Sequence, residues 1–321
     1  MRAAFSLLSP GGSNGRLTTM IFHRVLDKHD PLFPEEIDAA DFDRICRWTA
    51  EWFNVLPLGE ALRRLKAGTL PRRAMAITFD DGYEDNYCTA VPILVRHGLQ
   101  ATFFIATGFL DGGTMWNDRL IEAVRCTRLT DLDLLLPGET THRILPLGGL
   151  AQRRRAIDEL ISAVKYLDHE QRLAAVETVE AACAAESPSR GPMMTSDQVH
   201  GLVRHGMEVG GHTVTHPILR CLKPEASSRE IVQGKRQLES IVGRPVAMFA
   251  YPNGKPGVDY AAVAVQQVRE AGFEAAVSTG WGVADQSTDP YQIPRFTPWD
   301  RSRTRFGIRL MSNLRRKPTT V

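Results

Sequence analysis

The chain has 321 residues, 43% of them apolar, and a formal net charge of +2, with a pI near 8.3. That balance does not point to a nucleic-acid partner, and no run approaches the ~18 consecutive apolar residues of a membrane span. The length allows two domains, or one α/β barrel with additions.

The N-terminal stretch "MRAAFSLLSPGGSNG" has an apolar segment from Ala3 to Leu8. It is shorter than a signal core of ~7–15 residues and lacks a small-x-small cleavage pattern. The expected location is therefore cytoplasmic or membrane-peripheral. Cys46, Cys88, Cys126, Cys183 and Cys221 are an odd, scattered set with no Cys-x-x-Cys pair. They read as reduced thiols, mostly core filler.

In chain order, "LTTMIF" (17–22) reads as a buried strand, because β-branched and apolar residues run together. Phe42, Ile45, Cys46 and Trp48 recur at helical spacing within 40–52, and "LGEALRRLKAG" (58–68) is a second helix stopped by Gly68. "AMAITF" (74–79) and "ATFFIA" (101–106) are strands flanking the helix "AVPILVRHG". Strand, helix, strand implies parallel pairing through a right-handed crossover. "MEVGG" (207–211), "PVAMFAY" (245–251) and "EAAVST" (274–279) are three more strands, each preceded by a helix ending in glycine. Such a repeat is that of a parallel barrel or doubly wound sheet, where chemistry gathers at the C-terminal strand ends.

Residues 112–192 break this rhythm. "DLDLLLPGETTHRILPL" suggests a hairpin turning at Pro137-Gly138, and "GLAQRRRAIDELISAVKYL" and "HEQRLAAVETVEAACAAE" are amphipathic helices. The segment is expected to be an inserted subdomain, either a lid or substrate wall or a structural elaboration. The expected division is 1–111 and 193–300 for the two parts of the barrel, 112–192 for the insert, and 301–321 for a basic C-terminal helix or tail. That tail has seven basic residues and no acid, with Phe306, Leu310 and Leu314 on one helical face. Two readings stay open for it: packing on its own domain with a solvated basic face, or peripheral contact with a membrane surface or anionic polymer.

Four patterns carry chemistry. "AITFDDGYEDN" (76–86) ends a strand in two adjacent carboxylates, Asp80 and Asp81. A turn at Gly82 lets both face one site, where a bound cation offsets their repulsion; a helix N-cap is the competing reading. "GGHTVTHP" places His212 and His216 four apart, a metal-ligand spacing, and Pro217 argues for a tight loop rather than a helix. Two imidazoles and one carboxylate make a three-ligand set that leaves zinc an open position. "MFAYPNGKPG" (248–257) carries turn chemistry, either an ordinary turn or one in which a freed backbone N–H faces a site. His23, in "MIFHRVL", ends the first strand; by itself it reads as structural.

Together these residues resemble the polysaccharide deacetylase family, the group with a NodB-type homology domain. "TFDDG" (78–82) is similar to that family's first motif and "HTVTH" (212–216) to its second; the likeness covers roughly 17–110 and 193–297. The resemblance implies a distorted (β/α) barrel of seven strands, here with a mainly helical insert. It implies one divalent metal held by Asp81, His212 and His216, most simply Zn2+, with Co2+ or Ni2+ suited by the same ligands. Asp80 would be the catalytic base, and the Asn253 amide the oxyanion donor. Many members have an arginine supporting the base where Ala250 stands here; Arg295, in "IPRF", is a candidate from elsewhere. Many also carry a late catalytic histidine, yet no histidine follows His216. His23 fits the first-strand position that some relatives, including biofilm poly-N-acetylglucosamine deacetylases, use for the general acid. The implied function is metal-dependent removal of N-acetyl groups from an amino-sugar glycan or precursor, releasing acetate. The alternatives are another amide, ureide or O-acetyl ester as substrate, or a glycan-binding module impaired in catalysis.

Overall fold

A computed structural model describes residues 1–184 and 191–321. Nine strands are described: β1 (Leu17–Phe22), β2 (Asn54–Val55), β3 (Ala74–Phe79), β4 (Thr102–Ile105), β5 (Asp131–Leu134), β6 (Arg143–Pro146), β7 (Glu208–Gly211), β8 (Met248–Ala250) and β9 (Ala275–Val277). Seven form one sheet in the order β1-β3-β4-β7-β8-β9, with β2 added beside β3. Every pairing in that sheet is parallel.

The chain divides into two compact units. The first holds the sheet and comprises Met1–Lys28, Glu36–Asp111 and Met194–Val321. Helices cover the sheet, and every residue of β1 and β3 is buried, as expected of parallel strands covered on both faces. The two edges are joined by a short segment outside the named strands. Ile293 bridges Val277 of β9, and Phe296 bridges Met20 of β1, both in parallel sense. The sheet is thus curled into the expected (β/α)7-type barrel.

The period-two alternation of a strand sets the two faces. Phe79 turns to the helix layer and stacks between Phe22 and Phe103 at 5.2 and 4.7 Å. Phe42, from the helix Ala39–Trp52, meets Phe22 edge-on at 5.1 Å. Thr78 and Asp80 share the opposite face. Each fully buried phenyl ring contributes roughly 1.5–3 kcal/mol through its removal from water.

The helix Arg303–Asn313 packs on the same unit. Phe306, Leu310 and Leu314 are buried, and Phe306 lies against Trp48 and Trp52. Arg303 pairs with Glu51 and Arg309 with Asp300.

The second unit comprises His29–Glu35 and Gly112–Met193. Within it, β5 and β6 pair antiparallel, and helices Trp116–Cys126, Leu150–Val164 and His169–Cys183 supply most of a separate core. His29–Glu35, read from the sequence as barrel, belongs here instead. Leu32 is buried in this core among Leu120, Leu132 and Ile157. The last residues of the sequence-read helix "HEQRLAAVETVEAACAAE" fall in 185–190, outside the described residues.

The cysteines depart from expectation. All five are free thiols, but Cys88, Cys126 and Cys221 are exposed and only Cys46 and Cys183 are buried. A small polarisable side chain is tolerated on a helix surface as well as in a core.

No helix among the described residues is long and apolar enough to cross a membrane.

Candidate active site

Asp80 and Asp81 follow β3, His212 follows β7, and His23 follows β1, so all four stand beyond the C-terminal ends of parallel strands. The backbone turns sharply after Asp80. Asp81 has φ +77° and Gly82 φ +92°, and the Asp80 carbonyl accepts from the Gly82 N–H at 3.0 Å. This turn breaks the strand alternation and brings both carboxylates to His212. His212 Nε2 is 4.0 Å from Asp80 Oδ2 and 3.3 Å from Asp81 Oδ1.

His216 Nε2 is also 3.3 Å from Asp81 Oδ1. One ligand atom from each of Asp81, His212 and His216 lies within 4.8 Å of the others. The loop that brings the imidazoles together is strained. Thr213 and His216 have φ +66° and +51°, a left-handed region that costs non-glycine residues about 1–3 kcal/mol each. His216 thus escapes the helical region disfavoured before Pro217 by a route other than extended backbone.

The donor set fits a divalent cation. The Ala250 carbonyl accepts from His212 Nδ1 at 2.8 Å; a carbonyl only accepts, so Nδ1 carries the proton and Nε2 is left as the metal-binding atom. Asp81 Oδ1 is buried and has no hydrogen-bond partner, a costly state for a carboxylate oxygen. Three lone pairs therefore converge where a positive charge belongs.

The protonation tendencies agree. Burial pushes the His216 imidazole down to about 4, against the pull of Asp81, keeping it neutral. Burial works against the Asp81 carboxylate, but the neighbouring His216, His212 and His23 imidazoles hold it well below the usual range. Burial lowers His212 too, yet Asp81 and Asp80 outweigh it and raise it. A cation held here would compete with protons for the same lone pairs.

Asp80 is held by Arg295, whose side chain is fully buried. Nη1 meets Oδ1 at 2.6 Å and Nη2 meets Oδ2 at 2.8 Å, a two-pronged pair. Arg295 Nε donates to the Ser278 carbonyl at 2.8 Å, and Nη1 also reaches Thr78 Oγ1 at 3.2 Å. Burial alone would raise the Asp80 carboxyl, but the Arg295 guanidinium and His212 hold it below its ordinary value. Ala250 supplies only its backbone carbonyl here, to His212.

His23 is exposed and lies close enough to act electrostatically on Asp80, Asp81 and His216. The buried Asn86 donates to the His23 carbonyl at 2.8 Å, while Asp85 accepts from the Val25 N–H at 3.2 Å. Asp85 and Asn86, which follow "DDGYE", thus fix the backbone of the His23 turn, a role the sequence did not reveal. Asn253 lies in the turn after β8 with φ +58°. Its carbonyl accepts from Thr279 Oγ1 at 2.9 Å, and its N–H meets no acceptor among the described residues.

The family described as "Polysaccharide deacetylase" matches residues 67–125 and 163–276, more than half of the chain. A curated Bacillus subtilis (strain 168) relative named "Putative polysaccharide deacetylase YxkH" is 19% identical over 282 residues, covering 87% of this chain and 70% of that protein. Among solved structures, Streptococcus pyogenes deacetylase PplD in complex with acetate superposes with TM-score 0.58 at 18% identity, covering 88% of this chain and 92% of the other. IcaB from Ammonifex degensii gives 0.58 at 16%, covering 95% and 99%. A de-N-acetylase from Aggregatibacter actinomycetemcomitans gives 0.56 at 15%, covering 88% and 94%. At these identities the solved structures bear on the fold, and the family match bears on membership: the chain belongs to the polysaccharide deacetylase family.

Proposed function

We propose that the protein is a metal-dependent hydrolase that removes N-acetyl groups from an amino-sugar glycan or glycan precursor, releasing acetate and a free amine. The observation that carries this reading is the convergence of Asp81, His212 and His216 beside a carboxylate, Asp80, locked by a buried arginine. Asp81 Oδ1, His212 Nε2 and His216 Nε2 would hold one divalent cation, most simply Zn2+, with Co2+ and Ni2+ suited by the same donors. When bound, such an ion supplies acidification of water and polarisation of a carbonyl.

The chain's own residues do the rest. Asp80, kept ionised by Arg295, accepts the proton of the attacking water as general base. The Asn253 N–H donates to the oxygen on which negative charge develops; one such donor is worth ~3–4 kcal/mol. The departing nitrogen is a very poor leaving group until protonated, and His23, as imidazolium, delivers that proton. An N-acetyl substrate agrees with the relative named a de-N-acetylase, and acetate as product agrees with the relative solved in complex with acetate.

The test is acetate and free-amine release from a chito-oligosaccharide by Zn2+-loaded protein, with an O-acetyl sugar in parallel. Release from the N-acetyl substrate is expected. A metal-loaded protein that binds the oligosaccharide yet releases no acetate would overturn the hydrolytic reading. Release from the O-acetyl sugar alone would overturn the choice of substrate.

A further inference from the structure

The helix Pro224–Val242 carries three residues, Glu230, Gly234 and Gln237, at helical spacing i, i+4, i+7 and so on one stripe. All three meet the segment that bears the two histidines or its support. Glu230 Oε2 accepts from the backbone N–H groups of Val214 and Thr215 at 2.9 and 2.8 Å. Its Oε1 accepts from Thr215 Oγ1 at 2.8 Å. At Gly234 a Cβ would lie 2.8 Å from the Thr213 carbonyl, so only glycine allows the helix this close to the loop. Gln237 Oε1 accepts from Thr107 Oγ1 at 2.6 Å, and the Thr107 N–H donates to the Thr213 carbonyl at 3.2 Å.

The loop needs such a saddle. Two of its non-glycine residues, Thr213 and His216, are left-handed, and Thr213 is β-branched, which makes that conformation a true outlier. Within the loop, the His216 N–H donates to Thr213 Oγ1 at 3.1 Å, and that hydroxyl donates to the His212 carbonyl. From outside, the Thr107 and Gly108 N–H groups donate to the Thr213 and Val214 carbonyls, and Glu230 is the one side chain among the described residues that takes both amides lying between the strained residues. A loop free to relax would carry His216 away from Asp81. Metal would then bind only the fraction of molecules still in the strained form, and apparent affinity would fall in proportion.

We infer that Glu230 is a positioning residue for the metal centre: it touches neither metal nor substrate, but holds the His212–His216 loop in the shape that binds the ion. The inference rests on the metal site proposed above. Its function is distinct from that of Arg295, which acts on the base.

The test uses the full chain and Zn2+ alone. The Zn2+ dissociation constant is measured by competition with a chromophoric chelator, and the rise in melting temperature on adding Zn2+ is recorded beside it. Glu230→Ala is expected to weaken Zn2+ binding about ten- to hundredfold, the range for lost support of a metal ligand, and to shrink the Zn2+-induced rise. Glu230→Gln keeps an oxygen for the two amides and is expected to restore most of the affinity. A merely structural glutamate would lower the melting temperature with and without Zn2+ alike and leave the dissociation constant unchanged. Such a result in folded Glu230→Ala overturns the inference. If that variant does not fold, Glu230→Asp, one methylene shorter, is expected to weaken binding about tenfold, and wild-type affinity there overturns it equally. Wild-type protein that binds no Zn2+ would instead overturn the metal site itself.

Discussion

Arg295→Met tests the link between barrel closure and catalysis. The guanidinium makes both contacts to Asp80 inside 3 Å, at 2.6 and 2.8 Å, with the Arg295 side chain 0% and the Asp80 side chain 3% exposed. Removing one member of such a pair leaves an uncompensated charge in the interior, at a cost of about 3–5 kcal/mol. At roughly 2–4 °C per kcal/mol for a unit of this size, the melting temperature should drop by about 6–20 °C. Adding Asp80→Asn to Arg295→Met removes the stranded charge, so the double variant should be more stable than the single losses predict when added. Thermal or denaturant melts of the four chains, all metal-free, give the coupling directly. A coupling above ~1 kcal/mol is expected, and strict additivity within ~0.5 kcal/mol would refute the pairing. Acetate release should vanish in Arg295→Met, because its Asp80 is no longer held as an ionised base.

Asp80→Asn should retain metal and lose acetate release by about 10²–10⁴-fold; metal lost with it would reassign Asp80 as a ligand. His23→Ala should lower turnover on an N-acetyl substrate by a similar ~10²–10⁴-fold with metal retained, and spare an activated acetyl ester whose leaving group needs no proton. Wild-type rates on the amide in that variant would place the acid elsewhere. Alkylation of the native chain should label the exposed Cys88, Cys126 and Cys221 and spare the buried Cys46 and Cys183. Burial raises both of the latter thiols, Cys183 to about 11, and the thiolate is the reactive form; mass spectrometry reading prompt labelling at Cys183 would contradict this.

Much of the barrel was legible because its strands are apolar runs and its helices end in glycine, both local signals. The meeting of Asp81, His212 and His216 was legible because "DDG" and "HTVTH" are compact patterns at strand ends. Arg295 was named in the sequence only as a candidate. Its partner lies 215 residues away, and the segment carrying it is a two-bridge stitch rather than a strand, with no periodicity to read. Glu230 was invisible for the same reason: on its helix it looks like any polar residue, and its meaning comes from two backbone amides in another element. His29–Glu35 was misread because "HDPLFPE" has no pattern that ties it to a core, and Leu32 finds that core far along the chain. The thiols were misjudged because composition does not say which helix face a cysteine occupies.

The claim at the centre is that Asp81, His212 and His216 jointly bind one divalent ion. Zn2+-loaded wild-type protein and His212→Ala, His216→Ala and Asp81→Ala variants, dialysed against metal-free buffer and assayed for metal by mass spectrometry, test it directly. Close to one equivalent per chain is expected in the wild type and little in each variant. A wild type that holds none, or variants that each keep a full equivalent, would contradict it.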